Sequence, residues 1–150
     1  MKRFGISIIG CLIIFSCAGQ RPENIGASIG RLTGCPAKPN CVSSQAADNE
    51  HAIAPFRYHG EKKDAFNRLK KIIASFERMT IVAENDRYLH IECTSSIMRF
   101  IDDLEFSFLE EKEIHVRSAS RIGYYDFGAN RKRVEKLRKL FATQLTSIEK

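Results

Sequence analysis

The chain has 150 residues, of which 43% are hydrophobic and 28% are charged, and its formal net charge is +6. This balance is typical of one globular domain, and it excludes a mostly disordered chain, a coiled coil and a protein with several membrane spans. The chain has no Trp, but its 10 Phe suffice to build a hydrophobic core.

The first 16 residues have the pattern of an export signal. Two basic residues precede an apolar run over residues 4–15, which is too short to span a bilayer. The run ends in the sequence IFSC at residues 14–17, which resembles the bacterial lipoprotein box. We therefore predict a signal peptide over residues 1–16 and lipidation of Cys17, with diacylglycerol and palmitate. A plain secretory signal and a retained membrane anchor are the alternatives.

The expected mature chain is only mildly basic. Loss of the signal removes two of the 24 basic side chains and none of the 18 acidic ones, so the net charge falls to +4. In an exported protein this excess favours anionic lipid or cell-wall polymers as partners over nucleic acid. Ala18 follows Cys17, which in enterobacterial-type sorting is typical of release to the outer membrane. We predict a protein lipid-anchored to the cell envelope, at the outer membrane or periplasmic face in a Gram-negative cell.

Three cysteines would remain besides Cys17. Residues 17–34 are small, polar and rich in Gly, and we interpret them as the lipidated Cys and a flexible tether to a single domain over residues 35–150. Cys35 and Cys41 enclose a short loop with two prolines, which in an oxidising compartment favours a disulfide. A zinc site, which would need two more ligands, and free thiols are the alternatives. Cys93 is expected to be buried in a strand.

Hydrophobic periodicity and turn residues predict seven elements in the domain. They are an edge strand over 53–58, a helix over 61–77, strands over 78–83, 88–94, 99–109 and 113–121, and a helix over 130–148. This order predicts an α+β fold with an antiparallel sheet of four to five strands and two helices on one face. The β-α-β4-α order is similar to that of the TATA-binding-protein-like fold, a likeness of architecture that implies no DNA binding.

Strand alternation separates an apolar face of the sheet from a polar face. The polar face is predicted to hold Tyr88, His90, Glu92, Asp103, Glu105, His115, Arg117 and Arg121. Acids opposite arginines predict cross-strand ion pairs, so this face is either a solvated surface or an open platform for a ligand. We interpret the two histidines as surface side chains rather than metal ligands. Asp102 falls on the apolar side, where it needs an N–H group or an Arg as partner.

The segment 117–133 is the densest in charge. Asn130 is predicted to cap the last helix. Three cations then oppose the helix dipole from the first turn: Arg131, Lys132 and Arg133. The compensating charge is either external, from a bound phosphate or carboxylate, or internal. Three carboxylates could supply it internally: Asp103, Glu105 and Asp126.

Three motifs together resemble the domain-of-unknown-function 1499 family, found in bacterial exported proteins and in plastids. They are CPAKPNCVSS over 35–44, FIDDLEF over 100–106, and RSASR over 117–121 followed by Gly123, Asp126, Gly128, Asn130, Arg131 and Arg133. The resemblance covers about residues 32–148. It implies no reaction, but it supports treating the Cys loop, the acidic strand and the arginine segment as one unit.

We therefore expect a binding or structural module that holds an anionic envelope ligand. The candidate ligand-binding residues are Asp103, Glu105, Arg117, Arg121, Asp126, Asn130, Arg131 and Arg133. Neither a cofactor nor a metal is predicted, and no nucleophile or phosphate-loop motif occurs, so an enzyme is the less favoured reading. The alternatives are an envelope hydrolase that uses Asp and Glu as acid and base, and an assembly factor that docks a partner protein.

Overall fold

A computed structural model describes residues 19–28 and 31–146 of the chain. The predicted signal peptide and Cys17 lie outside the described residues. The elements are β1 (Ala27–Ser28), β2 (Arg31–Leu32), β3 (Cys41–Ser43), β4 (Phe56–Arg57), α1 (Lys62–Ala74), β5 (Met79–Asn85), β6 (Tyr88–Thr94), β7 (Ile101–Ser107), β8 (Glu113–Ser120) and α2 (Ala129–Thr146). The seven predicted elements are present, whereas the sequence did not predict β1, β2 and β3. Among the described residues, neither helix is long and apolar enough to cross a membrane.

The main sheet is antiparallel, with strand order β3-β8-β7-β6-β5. The short strand β4 also pairs with β8, at Ile114 and Glu113, while β3 pairs with residues 117–119 of the same strand. Both short strands therefore share the edge of β8 that faces away from β7. The predicted α+β fold with an antiparallel sheet and two helices is confirmed.

The helices close the apolar face of the sheet. The residues that α1 buries, Ala65, Leu69, Ile72 and Ile73, follow the spacing of one helix face. They join Val134, Leu137 and Phe141 of α2 and the strand residues Leu89, Ile91, Leu104, Phe106, Ile114 and Val116 in one core. At its centre the Phe56 ring packs edge-on against Phe106 at 5.3 Å. Cys93 is also buried here, as predicted, and burial raises its pKa to about 12, so its thiol is unreactive.

The N-terminal segment covers the polar face. Residues 17–34 were predicted to be a flexible tether, but the described part of this segment makes specific contacts with the sheet. The Gly26 N–H donates to Glu105 Oε1 at 2.8 Å, and Arg21 pairs with Glu92 at 2.6 Å. Leu32 of β2 is buried. The polar face is therefore not the open, solvated platform that alternation alone suggested.

Gly19 lies in close contact with the end of β8. Its φ of +71° belongs to the left-handed region, and a Cβ there would lie 2.8 Å from Ile122 Cγ2 and 3.0 Å from Arg121 Cβ. A side chain at this position would both strain the backbone and clash. The chain is thus held against the sheet from the first residues that the structure describes.

Candidate functional site

Arg121 is the centre of the ion pairs on the polar face. Its guanidinium donates to both carboxylate oxygens of Asp103, from Nε at 2.9 Å and from Nη2 at 2.7 Å, and Nη2 also donates to Glu92 at 2.6 Å. His90 Nε2 lies 2.8 Å from Asp103 Oδ1. Burial alone would raise the pKa of Asp103, but the hydrogen bonds from Arg121 and His90 outweigh it and lower that pKa. These hydrogen bonds therefore favour the ionised form of the Asp103 carboxyl group.

Glu105 is the centre of a second set of contacts and is fully buried. Its carboxylate accepts hydrogen bonds from Arg117 Nη1 at 2.9 Å, from the Tyr88 hydroxyl at 2.7 Å and from the Gly26 N–H at 2.8 Å. Burial, reinforced by the charge of Glu105, raises the pKa of Tyr88. Three donors satisfy this buried charge, as burial requires. The predicted cross-strand ion pairs are thus present.

The prediction that Asn130 caps α2 is wrong. The helix begins at Ala129, so Asn130 is its second residue, and the Asp126 carboxylate caps the helix instead. It accepts the N–H groups of Gly128 at 2.9 Å and Asn130 at 2.8 Å. The Asn130 side chain points back to the sheet, where it accepts from Ser118 Oγ at 2.5 Å and donates to the Asn40 carbonyl at 3.0 Å.

The cations of the first turn find their partners inside the protein. Arg133 Nη2 donates to Asp102 at 2.5 Å, which gives that carboxylate the arginine partner it was predicted to need. Arg131 donates from Nη1 and Nη2 to the carbonyls of Ala52 and Glu50, both at 2.8 Å. Of the three acids proposed to compensate this turn, only Asp126 lies at it, because Asp103 and Glu105 pair with Arg121 and Arg117.

The eight predicted site residues therefore form two groups. Asp103, Glu105, Arg117 and Arg121 lie together on the polar face, whereas Asp126, Asn130, Arg131 and Arg133 lie at the start of α2. A cavity of about 450 Å³ is lined by three residues of the first group and by none of the second, while the buried Glu105 does not line it. Its lining includes Asp103, Arg117, Arg121, Asn40, Lys38 and Gly123. We call it the arginine cavity.

Two buried polar atoms of the arginine cavity's lining residues have no hydrogen-bond partner among the described residues. They are Arg117 Nε, a donor, and Asn40 Oδ1, an acceptor. Sequence reasoning missed Lys38 and Asn40 as site residues, although both lie within the Cys35–Cys41 motif. Their position between the two cysteines was the available signal.

The loop that carries Lys38 is fixed at both ends. Cys35 and Cys41 form the predicted disulfide, with 5.7 Å between their Cα atoms. His51 bridges from Asp48, 2.7 Å from Nδ1, to the Lys38 carbonyl, 3.0 Å from Nε2. The hydrogen bond to Lys38 raises the pKa of His51 most, and Asp48 adds to it. One wall of the arginine cavity is therefore built on a braced loop.

The interpretation of His90 and His115 as surface histidines is wrong, because they are only 2% and 7% exposed. His90 is held by Asp103, as described above. His115 has Glu110 and Glu113 as neighbours, and one potential ligand atom from each of the three residues lies within 4.8 Å of the others. These three residues could hold a metal ion.

The fold is that of an antiparallel α+β domain with a Cys35–Cys41 disulfide, in which the described part of the N-terminal segment packs against the polar face of the sheet. The chain belongs to the family described as protein of unknown function (DUF1499), whose model matches residues 31–141. The match runs from β2 into α2 and includes the arginine cavity's braced loop. No curated protein and no solved structure matches the chain.

Proposed function

We propose that this protein is an exported, lipid-anchored module of the cell envelope that binds a small anionic ligand in the arginine cavity. The observation that carries the proposal is the pair of buried polar atoms without partners, Arg117 Nε and Asn40 Oδ1. An unsatisfied buried polar group costs about 1–3 kcal/mol. A ligand with both an acceptor and a donor, such as a phosphate monoester or a hydroxyl-bearing carboxylate, would remove that cost at both atoms.

The charge around the cavity favours an anion. Its lining holds three cations, Lys38, Arg117 and Arg121, against one acid, Asp103. Arg117 and Arg121 are already paired with carboxylates, but Lys38 is exposed and makes no ion pair among the described residues. The ammonium group of Lys38 is therefore available to a ligand, and the Nε–H of Arg117 is a donor without a partner among the described residues.

The location in the envelope rests on three sequence and structural features. The export signal and the lipoprotein-like sequence at residues 14–17 predict attachment through Cys17. The Cys35–Cys41 disulfide is typical of an oxidising compartment outside the cytosol. The test is metabolic labelling with an alkyne analogue of palmitate, which should label the wild type and the Cys11→Ser variant but not Cys17→Ser. Label that persists in Cys17→Ser would contradict the anchor.

The hydrolase alternative has less support. A general acid or base must exchange a proton near the working pH. The low pKa of Asp103 keeps it ionised, and Glu105 is fully occupied by three donors. The assembly-factor alternative has one observation in its favour, which is a loop with three exposed aromatic side chains: Tyr124, Tyr125 and Phe127. Such side chains are common at protein contacts, so crosslinking from this loop is the appropriate test of that alternative.

Ligand binding is tested by thermal unfolding of the purified full chain in detergent. The ligands are inorganic phosphate, glycerol phosphate and soluble peptidoglycan fragments. A ligand at 100 times its Kd stabilises the folded state by about 2.7 kcal/mol, which raises the melting temperature measurably. Arg117→Lys keeps a cation opposite Glu105 but removes the Nε–H, and Lys38→Gln removes a cation. Both variants should lose the shift.

Lys63→Gln is the matched control, because Lys63 is exposed on α1, on the other side of the sheet. This variant should retain the full ligand-induced shift. If no ligand shifts the wild type, or if Lys38→Gln and Arg117→Lys respond as the wild type does, the arginine cavity is not an anion site.

A further inference from the structure

A second group of polar side chains lies at the opposite end of the polar face from Arg121. Glu113 and His115 point to the same side of β8, and Glu110 lies in the turn that leads into this strand. Their ligand atoms form the only such group of three among the residues that the structure describes. Such a cluster can exist without an ion, so the hydrogen bonding of the buried His115 is the deciding observation.

His115 Nε2 is buried and has no hydrogen-bond partner among the described residues. It nevertheless lies 3.0 Å from Glu110 Oε1, without the alignment of a hydrogen bond. A ring nitrogen that carries no proton and a carboxylate oxygen repel each other at this distance, whereas a proton or a metal ion between them makes the contact favourable. Two ligands of one tetrahedral zinc ion stand about 3.4 Å apart at ordinary bond lengths, so a small adjustment of the exposed Glu110 would suffice.

The other ring nitrogen of His115 is held in the way that metal-ligating histidines are held. Nδ1 lies 3.1 Å from Ser44 Oγ, and that oxygen also accepts the Val116 N–H at 2.9 Å. If Nδ1 donates its proton to Ser44, the lone pair of the neutral ring is on Nε2, towards Glu110. A partner that fixes the tautomer is the usual support of a metal-binding imidazole.

Two basic side chains, Arg57 and Lys112, lie near the cluster but do not neutralise its two carboxylates. Arg57 pairs with Glu113 at 2.7 Å, but the Arg57 side chain is 77% exposed, and an exposed pair of this kind is weak. Lys112 donates to the Gly60 carbonyl. Glu110 and Glu113 also line a surface cavity of about 640 Å³ that His59 borders, so an ion from solvent can reach them.

We propose that Glu110, Glu113 and His115 bind a divalent first-row transition-metal ion, with Zn²⁺ as the best fit. One imidazole and two carboxylates suit zinc, whereas Mg²⁺ prefers oxygen ligands alone. The site is separate from the arginine cavity, because the two share no lining residue. The proposal therefore stands or falls independently of anion binding.

The test is isothermal titration of the purified full chain in detergent with ZnCl₂ alone. We expect one ion per chain, and we expect Glu110→Gln and Glu113→Gln each to weaken binding at least tenfold. Glu111→Gln is the matched control, because Glu111 is an exposed acid of the same turn and is not in the cluster. It should bind as the wild type does. Co²⁺ in place of Zn²⁺ should give the visible absorption of a nitrogen- and oxygen-bound ion, and His115→Gln should alter that absorption.

His115 is buried, so circular dichroism must first show that His115→Gln is folded. If this variant unfolds, the two glutamate variants and their control decide the result, since both glutamates lie at the surface. Absence of one-to-one Zn²⁺ binding by the wild type, or equal binding by Glu110→Gln, Glu113→Gln and Glu111→Gln, would overturn the proposal.

Discussion

The two faces of the sheet are closed by different forces. On the apolar face, α1 and α2 bury aliphatic and aromatic side chains, and this attraction depends on area rather than direction. On the polar face, the N-terminal segment is held by hydrogen bonds and ion pairs, such as Gly26 to Glu105 and Arg21 to Glu92. The apolar face should therefore tolerate apolar substitutions that conserve side-chain volume, whereas the polar face should be destabilised when one partner of a buried pair is lost.

The largest expected effect comes from Arg121→Ala. This change leaves Asp103 without its bidentate partner in a buried position, and breaking such a pair costs about 3–5 kcal/mol. The free energy of unfolding in urea measures it. The matched control is Arg87→Ala, whose side chain is exposed and pairs with Asp86 at 3.5 Å, and which should cost less than about 1 kcal/mol. Equal losses in the two variants would contradict the difference between the faces.

The double variant Cys35→Ser/Cys41→Ser should have a smaller effect. The closed loop is short, so the chain-entropy estimate for its disulfide is about 2 kcal/mol. Because this loop builds a wall of the arginine cavity, hydrogen exchange should rise in residues 35–43 while the protection of α1 is retained. Cys93→Ser is the control for loss of a cysteine without loss of the bridge. An equal rise of exchange in α1 would show that the faces do not unfold separately.

Asp126→Ala should cost about 1 kcal/mol, the usual value of a lost helix cap, because two N–H groups at the start of α2 lose their acceptor. Thermal unfolding measures this loss. Asn130→Ala should cost more, since Asn130 is buried and joins α2 to Ser118 and Asn40. A smaller loss in Asn130→Ala than in Asp126→Ala would contradict the role of Asn130 in joining α2 to the sheet.

The smallest effect is the pH dependence from His51. The pKa of His51 is raised above its ordinary value of 6.5, so its contribution to stability is complete below that value and is lost as the pH rises through the folded-state pKa. The difference in unfolding free energy between wild type and His51→Gln should therefore be larger at about pH 5.5 than at about pH 8.5. His59→Gln, an exposed histidine, controls for the general effect of pH. A difference that grows with pH would contradict the bridge to Asp48.

Most of the fold could be predicted because hydrophobic period and strand alternation are local signals. These signals placed Leu104 and Asp103 on opposite faces. They also paired the acids of β7 with Arg117 of β8 and with Arg121, which follows that strand. The packing of the N-terminal segment on the polar face could not be predicted, because residues 19–28 show neither the helical period nor strand alternation. Their contacts with the sheet are made mainly by backbone groups and single side chains, such as the Gly26 N–H and Arg21. The burial of His90 and His115 was missed because strand alternation places both on the polar face, which was expected to be exposed. The helix cap was assigned to the wrong residue because Asp and Asn are both common capping residues. The sequence alone does not show whether Asp126 or Asn130 accepts the N–H groups at the start of α2.

The close contact of Gly19 limits where a membrane can lie. If Cys17 carries the proposed lipid, only Ala18 separates it from Gly19, so the Cα atoms of Cys17 and Gly19 can be at most about 7 Å apart. Gly19 in turn lies against Arg121 and Ile122. The domain would then lie on the bilayer with the residues around Arg121 and Ile122 facing the membrane, instead of rotating freely on a flexible tether. The exposed side chains of Tyr124, Tyr125 and Phe127 come within five residues after Ile122 and would lie at the depth of the lipid headgroups, where aromatic rings are favoured. A ligand would then reach the arginine cavity most easily along the membrane surface.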